Sequence, residues 1–203
     1  MRGRFGFLIT NLLLAMVCLL LARSTLITAT RTSAIAPLLI AAHESVIAIL
    51  VLCRRPAVTP ERQHAGAAVA LAWTGTLLPL LLRSDRTPLG LPALGGIFQV
   101  LGALLALAAT LMLGRSFGVV AANRGVRAHG LYRLVRHPIY AAYLVAGTGV
   151  VLSHPSPRNV AVLLIWIGVQ IRRALAEERV LAADPIYRAY VTRVRYRLLP
   201  GIW

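Results

Sequence analysis

The sequence predicts an all-α integral membrane protein with about six transmembrane helices, five being the alternative count. Hydrophobic residues make up 58% of the 203 residues, and charged residues only 14%. A water-soluble domain of this length could not bury so much apolar surface, so lipid must cover part of it. The apolar residues also fall into separate runs, with the charged residues in short clusters between them.

Six apolar runs account for the predicted helices. A helix needs roughly 20 residues to cross a hydrocarbon layer of roughly 30 Å. The first four runs are long enough or nearly so, whereas the last two are short and are joined by a proline-rich turn at 153–157, which predicts a helical hairpin. We interpret the first run as a retained span, because no small-x-small cleavage site precedes Arg23. The runs lie at about 5–22, 34–53, 66–82, 89–113, 138–153 and 159–173.

Arginine placement predicts the orientation. All 22 basic residues are arginine, and with six spans and an inner N-terminus 17 of them lie on the inner side and 5 on the outer side. This asymmetry follows the positive-inside rule. We therefore expect the protein in the inner (plasma) membrane of a bacterium, with both termini and the 114–137 loop in the cytosol. The tail after Arg179 is amphipathic and is expected to lie along the cytoplasmic headgroups.

The charge and the cysteines exclude two other classes. The formal charge of +16 does not indicate a nucleic-acid binder, because the arginines form short clusters between apolar runs and in the tail. Cys18 and Cys53 lack the spacing of metal ligands, so no metal site is predicted.

A histidine followed by proline marks a change of structure at 137–138. Proline disfavours helix at the residue before it and is favoured at the first helical position, so a helix is predicted to begin at Pro138. The free N–H groups of such a helix end can receive a carboxylate. Tyr140 and Tyr143 would project from the first turns. The alternative interpretation is a membrane-entry helix with interfacial tyrosine and arginine anchors.

Arg173 and Glu177 are four residues apart, so they share one helix face where the last span leaves the apolar phase. A structural salt bridge between them is the alternative to a functional role. Glu178 is expected to point elsewhere, and Arg172 lies on another flank. Carboxylates and guanidinium groups at one depth can bind the two charges of a zwitterion separately.

Together these residues form a pattern that resembles the isoprenylcysteine carboxyl methyltransferase family of integral membrane proteins, which is related to the phospholipid methyltransferases. The resemblance covers about 114–201, and the first four helices contribute nothing to it. The pattern consists of Gly130, Tyr132, Arg136-His137-Pro138-Ile139-Tyr140, Arg173, Glu177-Glu178, Tyr187, Tyr190 and Leu199-Pro200.

The resemblance implies S-adenosylmethionine as cofactor and a lipophilic small molecule or lipid as methyl acceptor, with Arg173 as the catalytic, substrate-positioning residue and Tyr143 as a second acceptor contact. It also implies one domain, 1–203, with a four-helix membrane part (1–113) and a cofactor-binding part (114–203). The family has a histidine where this chain has Arg124, so only the next two residues are kept from that strand. The implied cofactor contacts are Gly125, Val126, Tyr132, Arg136, His137, Pro138, Ile139, Tyr140 and Glu177.

The predicted chemistry is methyl transfer to oxygen, without an obvious general base. A carboxylate acceptor is already ionised at neutral pH, and a guanidinium group can orient its two oxygens. The absence of a G-x-G-x-x-G motif excludes a Rossmann-type methyltransferase. Two alternatives stay open: a sterol-type NADPH-dependent reductase and a non-catalytic lipid-binding membrane protein. His43-Glu44, in the middle of the second span, fits either a polar contact for the acceptor or an interhelical pair.

Overall fold

The computed structural model describes residues 2–32, 34–57, 65–84 and 89–203, and this part of the chain is built from helices and connecting loops. Four of the seven α-helices begin with proline at the first helical position, where its missing N–H is not needed. The helices are α1 (Arg2–Thr32), α2 (Ile35–Cys53), α3 (Ala65–Leu77), α4 (Pro92–Leu113), α5 (Pro138–Ser153), α6 (Pro157–Leu181) and α7 (Pro185–Arg193).

Each of the six predicted apolar runs is helical, which confirms the all-α membrane fold. Four segments are long and apolar enough to cross a membrane, at Leu8–Thr30, Ile35–Cys53, Pro92–Ser116 and Pro157–Leu181. Two apolar helices, at Gly66–Leu81 and Pro138–Ser153, are shorter. The count of six spans therefore stays a prediction.

The last span corrects the sequence prediction of a short helix. The apolar run ends at Arg173, but α6 is 25 residues long and continues to Leu181. Arginine, alanine, leucine and glutamate are all good helix formers, so the backbone stays helical after the apolar composition ends. The charged final turns of α6 therefore project beyond the apolar part on a rigid support.

Close contacts hold the helices together, both in the middle of α4 and α5 and at the end of the bundle where α2 and α4 finish. Glycines let α4 and α5 approach, since a Cβ atom on Gly102 would lie 2.5 Å from the Ala146 nitrogen. Arg55 donates its backbone N–H to the Arg115 carbonyl at 2.9 Å, which ties the end of α2 to the loop after α4. The largest buried apolar cluster lies at this end and includes Val51, Ala109, Phe117, Tyr132 and Ile139.

The C-terminal tail also packs on the protein. Tyr187, Tyr190 and Val194 of the α7 region are buried and contact Val126 and Leu181. The Tyr190 hydroxyl donates to the Tyr132 carbonyl at 2.7 Å. Part of the apolar face of the tail therefore packs on the loop before α5, while Ile186 is exposed. The expected position of the tail along the headgroups stays a prediction.

Candidate active site

The helix that carries the site begins at Pro138, as predicted. His137 is the N-cap residue, and the backbone before the helix is paired with the end of the chain. The N–H groups of Arg136 and His137 donate to the carbonyls of Tyr196 and Arg197, both at 2.9 Å. The C-terminal segment therefore holds the strand-like entry to α5 in place.

Glu178 is the most heavily contacted carboxylate of this region. Its Oε1 lies 2.8 Å from Arg136 Nη1 and 3.2 Å from His137 Nε2, and Arg197 Nε donates to both carboxylate oxygens at 3.0 and 3.1 Å. Sequence reasoning expected Glu178 to point away from the site, and that expectation was wrong. It also missed Arg197, which lies 19 residues further along the chain. Arg197 stands two residues before the closing Leu199-Pro200 of the family pattern, and that position was the available signal.

Glu177 lies on the other side of the same histidine. Its Oε2 accepts from the Tyr140 hydroxyl at 3.0 Å and is 3.7 Å from His137 Nδ1. The rings of His137 and Tyr140 stack with centroids 5.5 Å apart. The Glu177 side chain is 30% exposed, so it can still accept hydrogen bonds from a bound molecule.

His137 is thus buried between two carboxylates. Burial by itself lowers the pKa of a histidine, but the hydrogen bonds and charges of Glu177 and Glu178 outweigh it and raise the pKa of His137 above its usual 6.5. These contacts therefore favour the protonated form of the imidazole.

Arg173 is buried without an acidic partner among the described residues. Its guanidinium group lies over the Tyr140 ring, 4.9 Å from the centroid, and donates to the Val119 carbonyl and the Gln170 side chain, both at 3.3 Å. No ion pair joins it to Glu177, so the structural salt bridge considered above does not form. A buried cation with only neutral partners is suited to meet an anionic group.

One cavity of about 500 Å³ runs from these side chains into the apolar interior. Near Arg173 its wall includes Tyr143, which stacks on Trp166 at 6.2 Å and meets the edge of His43 at 5.8 Å. The predicted site residues on the cavity wall are Tyr132, Arg136, His137, Ile139, Tyr140, Tyr143, Arg173 and Glu177.

Three predicted cofactor contacts lie off this wall. Pro138 is buried at the start of α5. Gly125 has φ +98°, a backbone conformation that favours glycine, and its N–H donates to the Asn123 side chain at 3.0 Å. Val126 packs against the Tyr187 and Tyr190 cluster. Groups of three or more metal-ligating side chains are absent from the described ranges.

The fold and this site define an all-α membrane protein whose charged pocket opens into an apolar cavity. Residues 90–188 match the family model described as phospholipid methyltransferase. The chain also superposes on the structure of a eukaryotic intramembrane Ras methyltransferase, isoprenylcysteine carboxyl methyltransferase, with a TM-score of 0.51 and 18% identity. That superposition covers 93% of this chain and 74% of the solved one, and it shows a shared fold.

A plant protein is also similar in sequence to part of this chain. Protein-S-isoprenylcysteine O-methyltransferase A of Arabidopsis thaliana is 34% identical over 79 residues, which cover 36% of this chain and 40% of the plant protein. The match thus spans less than half the length of that relative. With these findings, the predicted resemblance to the isoprenylcysteine carboxyl methyltransferase-like family of membrane proteins is confirmed.

Proposed function

We propose that the protein is an S-adenosylmethionine-dependent methyltransferase that methylates an oxygen of a lipophilic acceptor. One observation carries the proposal: His137, Tyr140, Arg173 and Glu177 line the charged end of a cavity that continues between apolar helices. A small charged cofactor and an apolar acceptor could meet there. The similarity to membrane methyltransferases supports the same reading.

The residues present fit the cofactor by their charges. The exposed part of the Glu177 carboxylate would receive the ammonium of its amino-acid end, since a charge-assisted hydrogen bond is favoured there. The free N–H groups at the start of α5 would receive the carboxylate of the same amino-acid end. Glu178 would not bind the cofactor, because Arg136, His137 and Arg197 already occupy it. When bound, S-adenosylmethionine supplies a methyl group on a positively charged sulfur.

Arg173 would position the acceptor. A carboxylate acceptor is ionised at neutral pH and needs no base, while a phenol or enol would be easier to ionise beside a guanidinium group. Methyl transfer needs in-line alignment of the acceptor oxygen, so orientation supplies much of the acceleration. Val119 and Gln170 hold the guanidinium group, and Tyr140 stacks beneath it. These contacts limit its freedom before the acceptor binds.

Cofactor titrations test the proposal. Thermal-shift and calorimetric titrations of the detergent-solubilised protein should show micromolar binding of S-adenosylmethionine and S-adenosylhomocysteine, and no binding of NADPH. A response to NADPH alone would favour a reductase and contradict the proposal. Absence of binding to all three compounds, with tight binding of anionic lipid, would favour a non-catalytic lipid-binding protein.

A further inference from the structure

The carboxylate of Glu44 lies deep in the apolar region. It is nine residues before Cys53, the last residue of α2, which places it about 14 Å from that helix end at 1.5 Å per residue. The same helix end meets the loop that carries the candidate active site, through Arg55 and Arg115. Glu44 is therefore well below the charged end of the cavity. A charged carboxylate at such a depth is energetically unfavourable.

The protein compensates this carboxylate only in part. Glu44 accepts one hydrogen bond, from the Thr25 hydroxyl at 2.9 Å, and no cation of the described residues lies within 4.0 Å of it. A carboxylate can accept about four hydrogen bonds. His43 beside it differs, because it is buried and already bonded to Thr110 at 3.0 Å. The protein itself therefore satisfies the His43 side chain, whereas most of the hydrogen-bond capacity of the Glu44 carboxylate has no partner among the described residues.

Glu44 and Arg173 line the same cavity. Thr25 and Gln99 add further polar groups to the wall around its deeper part, between apolar side chains such as Ile40 and Ile47. A molecule whose reacting end lies at Arg173 would extend past Tyr143 towards Glu44. A plain alkyl or prenyl chain there would leave the carboxylate unsatisfied, which costs free energy on binding.

We infer that the acceptor is a bifunctional lipid whose second polar group, a hydroxyl or an ammonium, donates a hydrogen bond to Glu44 in the deep part of the cavity. This inference rests on the proposed function in that Arg173 holds the reacting end. It names the substrate class: an apolar chain with a hydrogen-bond donor some way along it. Specificity then arises because a buried acceptor is left unpaired when the donor is missing.

Binding of defined probes tests the inference without requiring methyl transfer. The purified protein is titrated with hexadecanoic acid and with a series of hydroxy- and aminohexadecanoic acids that differ only in the position of the added group. Displacement of a fluorescent fatty acid reports the affinities. One position, or a few neighbouring positions, should bind about 10-fold tighter than the plain acid, as expected for one hydrogen bond to a charged group.

Variants of Glu44 test whether this residue causes the gain in affinity. Glu44→Leu should abolish the gain while keeping the protein folded, since leucine is favourable at this depth. In Glu44→Gln, probes with an added hydroxyl should keep their gain in affinity, whereas probes with an added ammonium should lose it. This difference identifies the donor group. Ser45→Ala is the matched control, because Ser45 is on the same turn, bonds to the Ala41 carbonyl and is not on the cavity wall.

The outcomes separate this inference from the proposed function. If no position binds tighter than hexadecanoic acid, or if the gain persists in Glu44→Leu, the inference is wrong even where methyl transfer occurs. If the gain depends on Glu44 but Arg173→Gln neither weakens binding of the plain acid nor affects methyl transfer, the inference stands and the role proposed for Arg173 fails.

Discussion

At the scale of single residues, Glu177 and Arg173 differ in how their charges are balanced. Both belong to the charged cluster of the candidate site, which consists of Arg136, His137, Arg173, Glu177, Glu178 and Arg197. Glu177 has a phenol and an imidazole beside it, and its side chain is partly exposed. Arg173 is buried with only neutral partners among the described residues. Glu177 can still bind a cation, and Arg173 can still bind an anion. Substitutions at these two positions should therefore affect different steps of the reaction.

Glu177→Gln should weaken cofactor binding. The substitution keeps the size of the side chain but removes the negative charge proposed to meet the ammonium group. Affinity for S-adenosylmethionine should fall by about 1.5–3 kcal/mol, which is typical of one charge-assisted hydrogen bond. Calorimetric titration measures it. Arg172→Gln is the control, since Arg172 is exposed on the same helix, and an unchanged affinity in Glu177→Gln would count against the proposed role.

Arg173→Lys should lower turnover while cofactor affinity holds. Lysine keeps the positive charge but lacks the planar fork that can hold two oxygens and stack on Tyr140. A fall in kcat without loss of cofactor binding is the signature of lost orientation. Turnover with labelled S-adenosylmethionine and the cofactor titration together test this. Equal losses in both quantities would mean that Arg173 supports the pocket as a whole.

His137 should make stability depend on pH. Its pKa is raised in the folded protein above 6.5, so its charged interactions stabilise the fold fully below pH 6.5. That contribution is lost as the pH rises through the folded-state pKa. The difference in Tm between the native protein and His137→Gln should therefore be constant just below pH 6.5, where Glu177 and Glu178 are ionised, and shrink as the pH rises through the folded-state pKa of His137. Exposed His129→Gln is the control and should follow the native curve.

At the scale of helices, the contact between α3 and α6 sets the position of Arg173. Trp166 of α6 donates its indole N–H to the Gly75 carbonyl of α3 at 2.9 Å. At Gly75, a larger side chain on α3 would collide with the Arg173 side chain. A Cβ atom there would lie 2.6 Å from Arg173 Cδ and 2.8 Å from Nη1. The guanidinium group therefore depends on a small residue that lies far away in sequence.

Gly75→Ala should displace Arg173 and lower turnover, without a large loss of cofactor affinity. Gly66→Ala on the same helix is the control, since its Cβ would meet nothing within 4 Å and alanine favours helix by about 0.8–1 kcal/mol. In an Arg173→Ala background, Gly75→Ala should have no further effect, because the clash is gone. An equal loss in both backgrounds would show that Gly75 acts on helix packing instead.

At the scale of the whole molecule, the charged cluster lies at one end of the helical bundle. Glu177 and Arg158 lie on α6 separated by roughly 28 Å along the helix axis, at 1.5 Å per residue. The other end is ordered by Asn159, which is buried and pairs with the backbone of Arg83 at 2.9 and 3.0 Å. The arginine distribution predicts that the end with the cluster faces the cytosol.

Accessibility labelling tests this orientation. In a variant without Cys18 and Cys53, Ala128→Cys and Thr192→Cys should react with an impermeant maleimide only after sealed right-side-out vesicles are opened. Arg158→Cys should react in the intact vesicles. All three replaced positions are exposed. The reverse labelling pattern would overturn both the topology and a pocket that draws its cofactor from the cytosol.

Local signals in the sequence were sufficient for the helices and for bringing together many residues of the candidate site. Apolar composition predicted the membrane fold, and the proline rule predicted that α5 begins at Pro138. The family pattern named seven residues that share the cavity wall. Each of these inferences depends on neighbours along the chain or on helical spacing, which the order of residues specifies directly.

The tertiary structure alone decided how the charges are paired. Glu178 joins the cluster because the C-terminal segment returns to Arg136 and brings Arg197 with it. Arg173 meets no acidic partner in the described part of the chain, because it turns towards Val119 and Gly75 instead of Glu177. Spacing on a helix determines which side chains can meet. Which of the possible partners they do meet depends on how closely segments that are distant in sequence approach each other in the fold.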